Sequence, residues 1–301
     1  MKEIREVWGS NVDSELQFFS QCLERFNFFS FDTEFPGFLR NSPRDVPESL
    51  RYSDLKFNVD SMKIIQLGIT LSDGEDNICS TWEFNFSDFD LERDAHAEES
   101  IDLLKKCGIN FEKFRKDGVS SKVFVPKFLH ILSRYRNIKW VTFHGLYDLA
   151  YVMKLLLNKP MPRSLFEFAE VASMVFGCVF DIKFMAKHCN GLLGGEIGLN
   201  SVAKILGVER KGVTHNAGSD SLLSATVFAR MKMMPGFQEG VFSGCLYGIS
   251  TRIGRRMKMV LPRYSQPMIL APVRQPSAVI FCARPVIRPL PVICPVPMTI
   301  L

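Results

Sequence analysis

Apolar positions near the start of the chain recur at every third or fourth place. Within residues 11–26, Leu16, Phe19, Leu23 and Phe26 fall on one face of a helix, with Ser10 or Asn11 in place to cap it and acids near its start. The pattern then tightens. Residues 28–34 (FFSFDTE) form an aromatic run halted by Pro36 and Gly37, which predicts a strand. Residues 38–60 are polar and charged and read as a long surface loop or a short helix. Two further strands are predicted over 64–71 (IIQLGITL) and 81–86 (TWEFNF), joined through SDGEDN, where Asp73-Gly74 marks a turn. Three consecutive strands predict an antiparallel meander.

Beyond this point helical periodicity alternates with short apolar runs. Helices are expected near 98–107, 122–135, 146–157, 164–175, 199–206 and 219–233, with strands near 138–143 and 179–182. Strand-helix alternation adds strands in parallel. An antiparallel meander extended by parallel strands, flanked by helices, is the α/β layout of the ribonuclease-H-like fold, expected as one domain over residues 1–250. The final stretch, 251–301, differs in kind. Nine of the 16 prolines lie after residue 260, interleaved with Val, Ile and Arg, so neither helix nor central strand can persist there. A poorly ordered tail is expected.

Charge divides the chain in the same place. From Val241 onward there are eight basic residues and no acid. Removing those eight charges from the net +5 leaves residues 1–240 at −3. The expected domain is slightly acidic, which suits a carboxylate cluster better than a broad basic groove, while the tail would attract phosphate non-specifically. The eight cysteines stand singly, with no C-x-x-C and no zinc-module spacing, and read as buried apolar residues in a reducing compartment. The N-terminal MKEIREVW lacks a signal-peptide core, and no apolar stretch reaches the roughly 20 residues of a membrane span. A cytosolic or nuclear protein without membrane association is expected.

Three windows carry candidate chemistry. In a strand, residues i and i+2 share a face, so Asp32 and Glu34 present two carboxylates together. They could be solvated acids at a strand end, but Phe28, Phe29, Phe31 and Phe35 argue for a buried strand whose acids need compensation. Asp148, in FHGLYD, follows the strand at 138–143 and opens the next helix. A dipole-complementing acid is the ordinary role there, yet the strand end delivers it to the edge where α/β folds place their sites. Asp181 ends another strand and competes with Asp148 on spacing. His215 and Asp220 are five apart and would diverge by roughly 140° on one helix. Gly218 and Ser219 are read as the break, with His215 on the incoming loop and Asp220 in the first helical turn. A lone loop histidine is more often merely exposed.

Four acids and one imidazole in this order suit a two-metal nuclease. Two divalent ions, Mg²⁺ or Mn²⁺, would sit among oxygen-only ligands Asp32, Glu34, Asp148 and Asp220. His215 would serve as general base.

At these residues the sequence resembles the D-E-D-D-h exonucleases. The windows FDTEFPG, NVD (58–60), KIIQLGIT (63–70), STWEFNF (80–86), SIDLL (100–104), FDIK (180–183) and HNAGSDSLL (215–223) together resemble the CCR-associated-factor poly(A) deadenylases. The likeness runs from about Ile4 to Gly248, and segment 38–57 is most similar to plant members. The resemblance implies a 3′-to-5′ exoribonuclease that shortens mRNA poly(A) tails and releases AMP. It implies the same five residues as metal ligands and base, with Phe35, Pro36, Gln66 and His144 lining the path of the terminal nucleotide. It further implies docking on the NOT scaffold and a second deadenylase of the CCR-NOT complex, and residence in nucleus, cytoplasm and mRNA-decay granules. The residues after Ser250 match nothing in that family. A DNA or oligonucleotide exonuclease with the same metal site, or an inactive adaptor, stays open on sequence grounds.

Overall fold

A computed structural model describes residues 4–135 and 137–254. The tail expected over 251–301 therefore lies, from residue 255 onward, outside the described residues. The chain begins with β1 (Ile4–Val7), α1 (Val12–Cys22) and β2 (Phe28–Glu34), followed by α2 (Glu48–Ser61), β3 (Gln66–Ser72) and β4 (Ile78–Asn85). Next come α3 (Glu98–Lys106), α4 (Phe111–Asp117), α5 (Ser121–Ser133), β5 (Lys139–Thr142), α6 (Leu146–Leu157) and α7 (Leu165–Phe176). It continues through β6 (Cys178–Asp181), α8 (Ile182–Lys187), α9 (Leu199–Ile205), α10 (Ala217–Lys232) and α11 (Glu239–Phe242).

The strands form one sheet in the order β1-β4-β3-β2-β5-β6. The expected meander is present: β2 pairs antiparallel with β3, and β3 with β4. Its first turn is held by Asp73, whose carboxylate accepts from the Glu75 N–H at 2.8 Å and the Asn77 amide at 2.7 Å. The later strands add in parallel, β5 on β2 and β6 on β5, as the alternation requires. Together these make the mixed ribonuclease-H-like sheet. The edge strand β1, parallel to β4, was not anticipated. Its residues IREV carry two charged, exposed positions in a row, Arg5 and Glu6, and only Val7 is fully buried, so it lacks an alternating apolar signal.

Helix α2 replaces the loop or short helix expected over 38–60. Tyr52, Leu55 and Val59 supply a narrow buried stripe at helical spacing. Asn58 on the same face is fully buried and accepts from the Leu39 and Arg40 N–H groups, both at 2.9 Å, while donating to the Arg40 carbonyl at 2.7 Å. A polar residue at a core position diluted the apolar pattern, and here it pins the chain that leaves β2.

Alternate residues of β2 point to different layers. Phe29 and Phe31 pack edge-on against Trp140 at 5.1 and 5.3 Å between ring centroids, inside the larger core. On the other layer α10 lies across β2, β3 and β4. Its first residue approaches so closely that a Cβ on Gly68 of β3 would stand 1.9 Å from the Ala217 carbonyl oxygen. Glycine at position 68 is thus what lets α10 dock. No described helix is long and apolar enough to cross a membrane. The cysteines are less solitary than expected: the Cys79 thiol donates to the Cys22 sulfur at 2.7 Å, and burial, reinforced by Cys79, pushes the Cys22 thiol up to about 12.

Candidate active site

β2 ends at Glu34 with Asp32 and Glu34 partly open to solvent, whereas Phe29 and Phe31 before them and Thr33 between them are buried. α10 brings Asp220 to the same place. One oxygen from each of Asp32, Glu34 and Asp220 lies within 4.8 Å of the other two. Asp148, in the first turn of α6, approaches from the Thr33 side of the strand. Its Oδ1 accepts from the Thr33 N–H at 2.9 Å and the Thr33 hydroxyl at 2.5 Å. The four acids expected at one point are therefore arranged as three plus one.

The start of α10 differs in detail from expectation. The helix begins at Ala217, ahead of the break read at Gly218 and Ser219, and Asn216 is its cap; its side-chain oxygen accepts from the Ser219 N–H at 3.0 Å. Gly218 lies inside the helix and is small for a packing reason, because a Cβ there would meet a Glu83 carboxylate oxygen at 2.7 Å. The break falls three residues earlier, at His215, whose left-handed φ of 56° turns the exposed loop into the helix. His215 and Asp220 are thus separated by a loop-to-helix junction, as their spacing demanded.

Crowding of like charges in a partly desolvated pocket governs the electrostatics. Burial first, then the charges of Asp148, Asp220 and Glu34, hold Asp32 well above the usual carboxylate range. Burial, then Asp220, Asp148 and Glu83, do the same to Glu34. Burial pushes Asp148 up to about 7 against the opposing pull of its two Thr33 hydrogen bonds. Such a set of raised acids, open to the surface, is poised to exchange protons for cations.

Two participants had no signal in the pattern of motifs. Glu83 of β4 is 6% exposed and is pushed up to about 7 by burial, offset by hydrogen bonds from Asn216 and the Gly218 N–H at the start of α10. An acid alternating with Trp82 and Phe84 on an apolar strand was its only trace. Arg210, in the loop before α10, forms an ion pair with Asp220 at 2.6 Å and also offsets the raised state of Asp32. Nothing in Glu-Arg-Lys (209–211) distinguishes it from a solvated charge run.

The remaining expected residues take varied places. Phe35 stacks on Tyr151 at 4.5 Å and stands edge-on to Phe38 at 5.5 Å, half-exposed beside the site. Pro36 is buried, and its carbonyl accepts from the Ala97 N–H at 2.8 Å. Gln66 is 1% exposed with both ends of its amide engaged, donating to Asn85 at 2.8 Å and accepting from the Ala217 N–H at 2.9 Å. From this buried position it fixes the start of α10. His144 follows β5 with φ 59° and sets its ring edge-on to Tyr247 at 5.0 Å. Protein packed around that ring, then Lys183 and Arg44, push it down to about 4, although more than a third of the residue stays open to solvent. Asp181 is fully buried and accepts from the N–H groups of His144, Lys183 and Tyr247, each at 2.9 Å. It knits three segments together and is structural, so Asp148 is the acid delivered to the site.

Oxygen is the only donor type in the cluster. Three convergent carboxylates, with a fourth alongside, fit hard divalent cations and offer nothing to favour zinc.

The sequence matches the CAF1 family ribonuclease profile over residues 7–121 and 119–228. The chain belongs to the CAF1 ribonuclease family. It is 40% identical over 268 residues to probable CCR4-associated factor 1 homolog 7 of Arabidopsis thaliana, covering 84% of this chain and 95% of that one. Among solved structures it is similar to S. pombe Pop2p in its Mg²⁺- and Mn²⁺-bound form, with a TM-score of 0.75 and 35% identity over 82% of this chain and 99% of that one. It is also similar to the yeast CAF1 co-crystallised with the NOT1 MIF4G domain, at a TM-score of 0.69 and 28% identity over 81% of this chain and 96% of that chain. The plant likeness of the sequence agrees with the Arabidopsis relative. As a CAF1 family ribonuclease, this chain carries its family's fold almost end to end across the described residues.

Proposed function

We propose that this chain is a metal-dependent 3′-to-5′ exoribonuclease that shortens poly(A) tails of mRNA and releases AMP. The observation that carries the reading is the convergence of Asp32, Glu34 and Asp220 oxygens within 4.8 Å, with Asp148 alongside. Asp32, Glu34 and Asp220, joined by the second oxygen of Asp148, would hold two ions, Mg²⁺ or Mn²⁺. Two such ions supply electrophilic stabilisation to the attacking and leaving oxygens of an in-line phosphodiester displacement.

The chain's own groups perform the rest. Burial and neighbouring carboxylates oppose ionisation of Asp32 and Glu34, which favours a bound cation between them. His215, exposed on the junction before α10, would take the proton of the attacking water. Thr33 keeps Asp148 turned towards β2. Phe35, half-exposed beside the carboxylates, would present the open part of its ring to a base, a contact that tolerates single-stranded substrate. We further propose assembly with a NOT scaffold and a second deadenylase in a CCR-NOT complex, in nucleus and cytoplasm; the NOT1-bound yeast CAF1 supports the scaffold partner.

Purified protein with Mn²⁺ or Mg²⁺ is expected to digest A-tailed RNA one nucleotide at a time, ahead of RNA with other tails and of single-stranded DNA. Asp32→Ala is expected to abolish digestion while leaving the far-ultraviolet spectrum and cooperative melting intact. Equal digestion by the variant would sink the mechanism, and equal digestion of every tail would sink the adenosine preference alone.

A further inference from the structure

After α9 ends at Ile205 the chain reaches α10 without regular secondary structure, and Lys211, Gly212, Val213 and His215 are exposed along the way. A segment of this kind samples many backbone states unless something ties it down. The ties run through one side chain. Arg210 Nε donates to Asn200 Oδ1 at 2.6 Å, reaching back to α9. Its Nη1 donates to the Ser219 hydroxyl at 2.9 Å and to the Val213 carbonyl at 3.4 Å, and its Nη2 donates to Asp220 Oδ1 at 2.6 Å. The Ser219 hydroxyl extends the chain of bonds to the Lys211 carbonyl at 2.7 Å. The other Asp220 oxygen accepts from the Asn216 N–H at 3.3 Å.

One guanidinium thus touches the preceding helix, the loop itself, the first turn of α10 and an acid of the active site. Its side chain is only 16% exposed, so these are not interchangeable surface contacts. A balancing charge for Asp220 could come from any cation. The four bonds in three directions need the planar fork of arginine, which an ammonium cannot reproduce.

We propose that Arg210 is a positioning residue of the reaction, setting where His215 stands relative to Asp220 by bracing residues 211–216 against α9 and α10. The inference rests on the reading of His215 as general base. Arg210 acts through the loop backbone and touches no reacting atom.

Two variants of the full chain separate bracing from charge. Arg210→Lys keeps the charge and loses the fork, and Arg210→Met loses both. Amide hydrogen exchange in residues 211–216 should be about tenfold faster in each variant, the loss of roughly one charge-assisted bond, with the sheet unchanged. With A-tailed RNA and Mn²⁺, kcat should fall about 10–100-fold in both, while KM and the calorimetric Mn²⁺ affinity of Arg210→Lys stay within about threefold. Adding Arg210→Lys to His215→Ala should lower kcat little further, because the group being positioned is already gone. Wild-type exchange and kcat in Arg210→Lys would overturn the proposal in favour of charge balance. Multiplicative losses in the double variant would overturn it too. Should Arg210→Met fail to fold, Arg210→Lys carries the test. If the wild-type chain proves inactive while the loop still loosens in the variants, the nuclease reading fails and the brace stands. An unchanged loop in an active enzyme overturns the brace alone.

Discussion

The carboxylate of Asp148 and the hydroxyl of Thr33 are 2.5 Å apart, across 115 residues of sequence. Thr33 lies between Asp32 and Glu34, so one residue of β2 orients an acid from α6 while its neighbours face the partners from α10. Replacing Thr33 by Val keeps the backbone bond at 2.9 Å and removes the hydroxyl bond. Loss of about 1–3 kcal/mol is expected. Thermal unfolding should show it, with Thr33→Ser close to wild type; a Thr33→Val protein as stable and active as wild type would contradict the assigned role.

Repulsion among the acids should make the site a weak point of the metal-free fold. Asp32→Asn removes one charge from a group in which burial and three neighbouring acids oppose ionisation. In chelator at neutral pH the variant is expected to be more stable than wild type. The ranking should reverse in excess Mn²⁺, which only the wild-type cluster binds well. Melting curves in both conditions check this, and a variant less stable in chelator would count against the crowding argument.

The same crowding sets the direction of the pH response. Asp148 and Glu83 are each pushed up to about 7, against roughly 4 in an unfolded chain. Between those values the native state binds more protons than the unfolded state, so unfolding free energy decreases as pH rises. This contribution is present in full below about pH 4 and is lost as pH climbs through about 7. Melting temperatures in chelator should fall across that window, and divalent cations should flatten the slope by replacing protons on the site oxygens. A rise with pH in chelator would rule the effect out.

Docking of α10 on the sheet depends on Gly68. A Cβ at 1.9 Å from the Ala217 carbonyl oxygen meets backbone, which has no rotamer by which to retreat. Gly68→Ala should cost about 3 kcal/mol or more and lower Mn²⁺ affinity, since the displaced helix carries Asp220. Denaturant titration and calorimetry measure the two effects together. A shift in stability alone would mean that α10 can move without disturbing Asp220.

Much of the fold was legible along the chain. The meander, the parallel additions and most helices follow from local periodicity, because apolar faces must be buried and turn residues interrupt them. α2 and β1 were obscured where burial is partial or carried by a polar residue such as Asn58. Asp32, Glu34 and Asp220, whose oxygens converge in the fold, stand out along the chain because they lie near a strand end or in a first helical turn, the two kinds of position from which a side chain can reach a shared edge. Gln66 shows the limit of that reasoning: nothing along the chain tells that its amide is buried and bridges Asn85 and the Ala217 N–H.

Alternation along β2 requires Asp32 and Glu34 to share a face, and the five-residue gap requires a loop between His215 and Asp220; both are matters of bond geometry within a few residues. How the acids divide into three and one, which residue caps α10, and the presence of Glu83 and Arg210 beside them depend on contacts between segments far apart in the chain. Such contacts leave no periodic trace, since hydrogen bonds and charge act through space and the chain records only order.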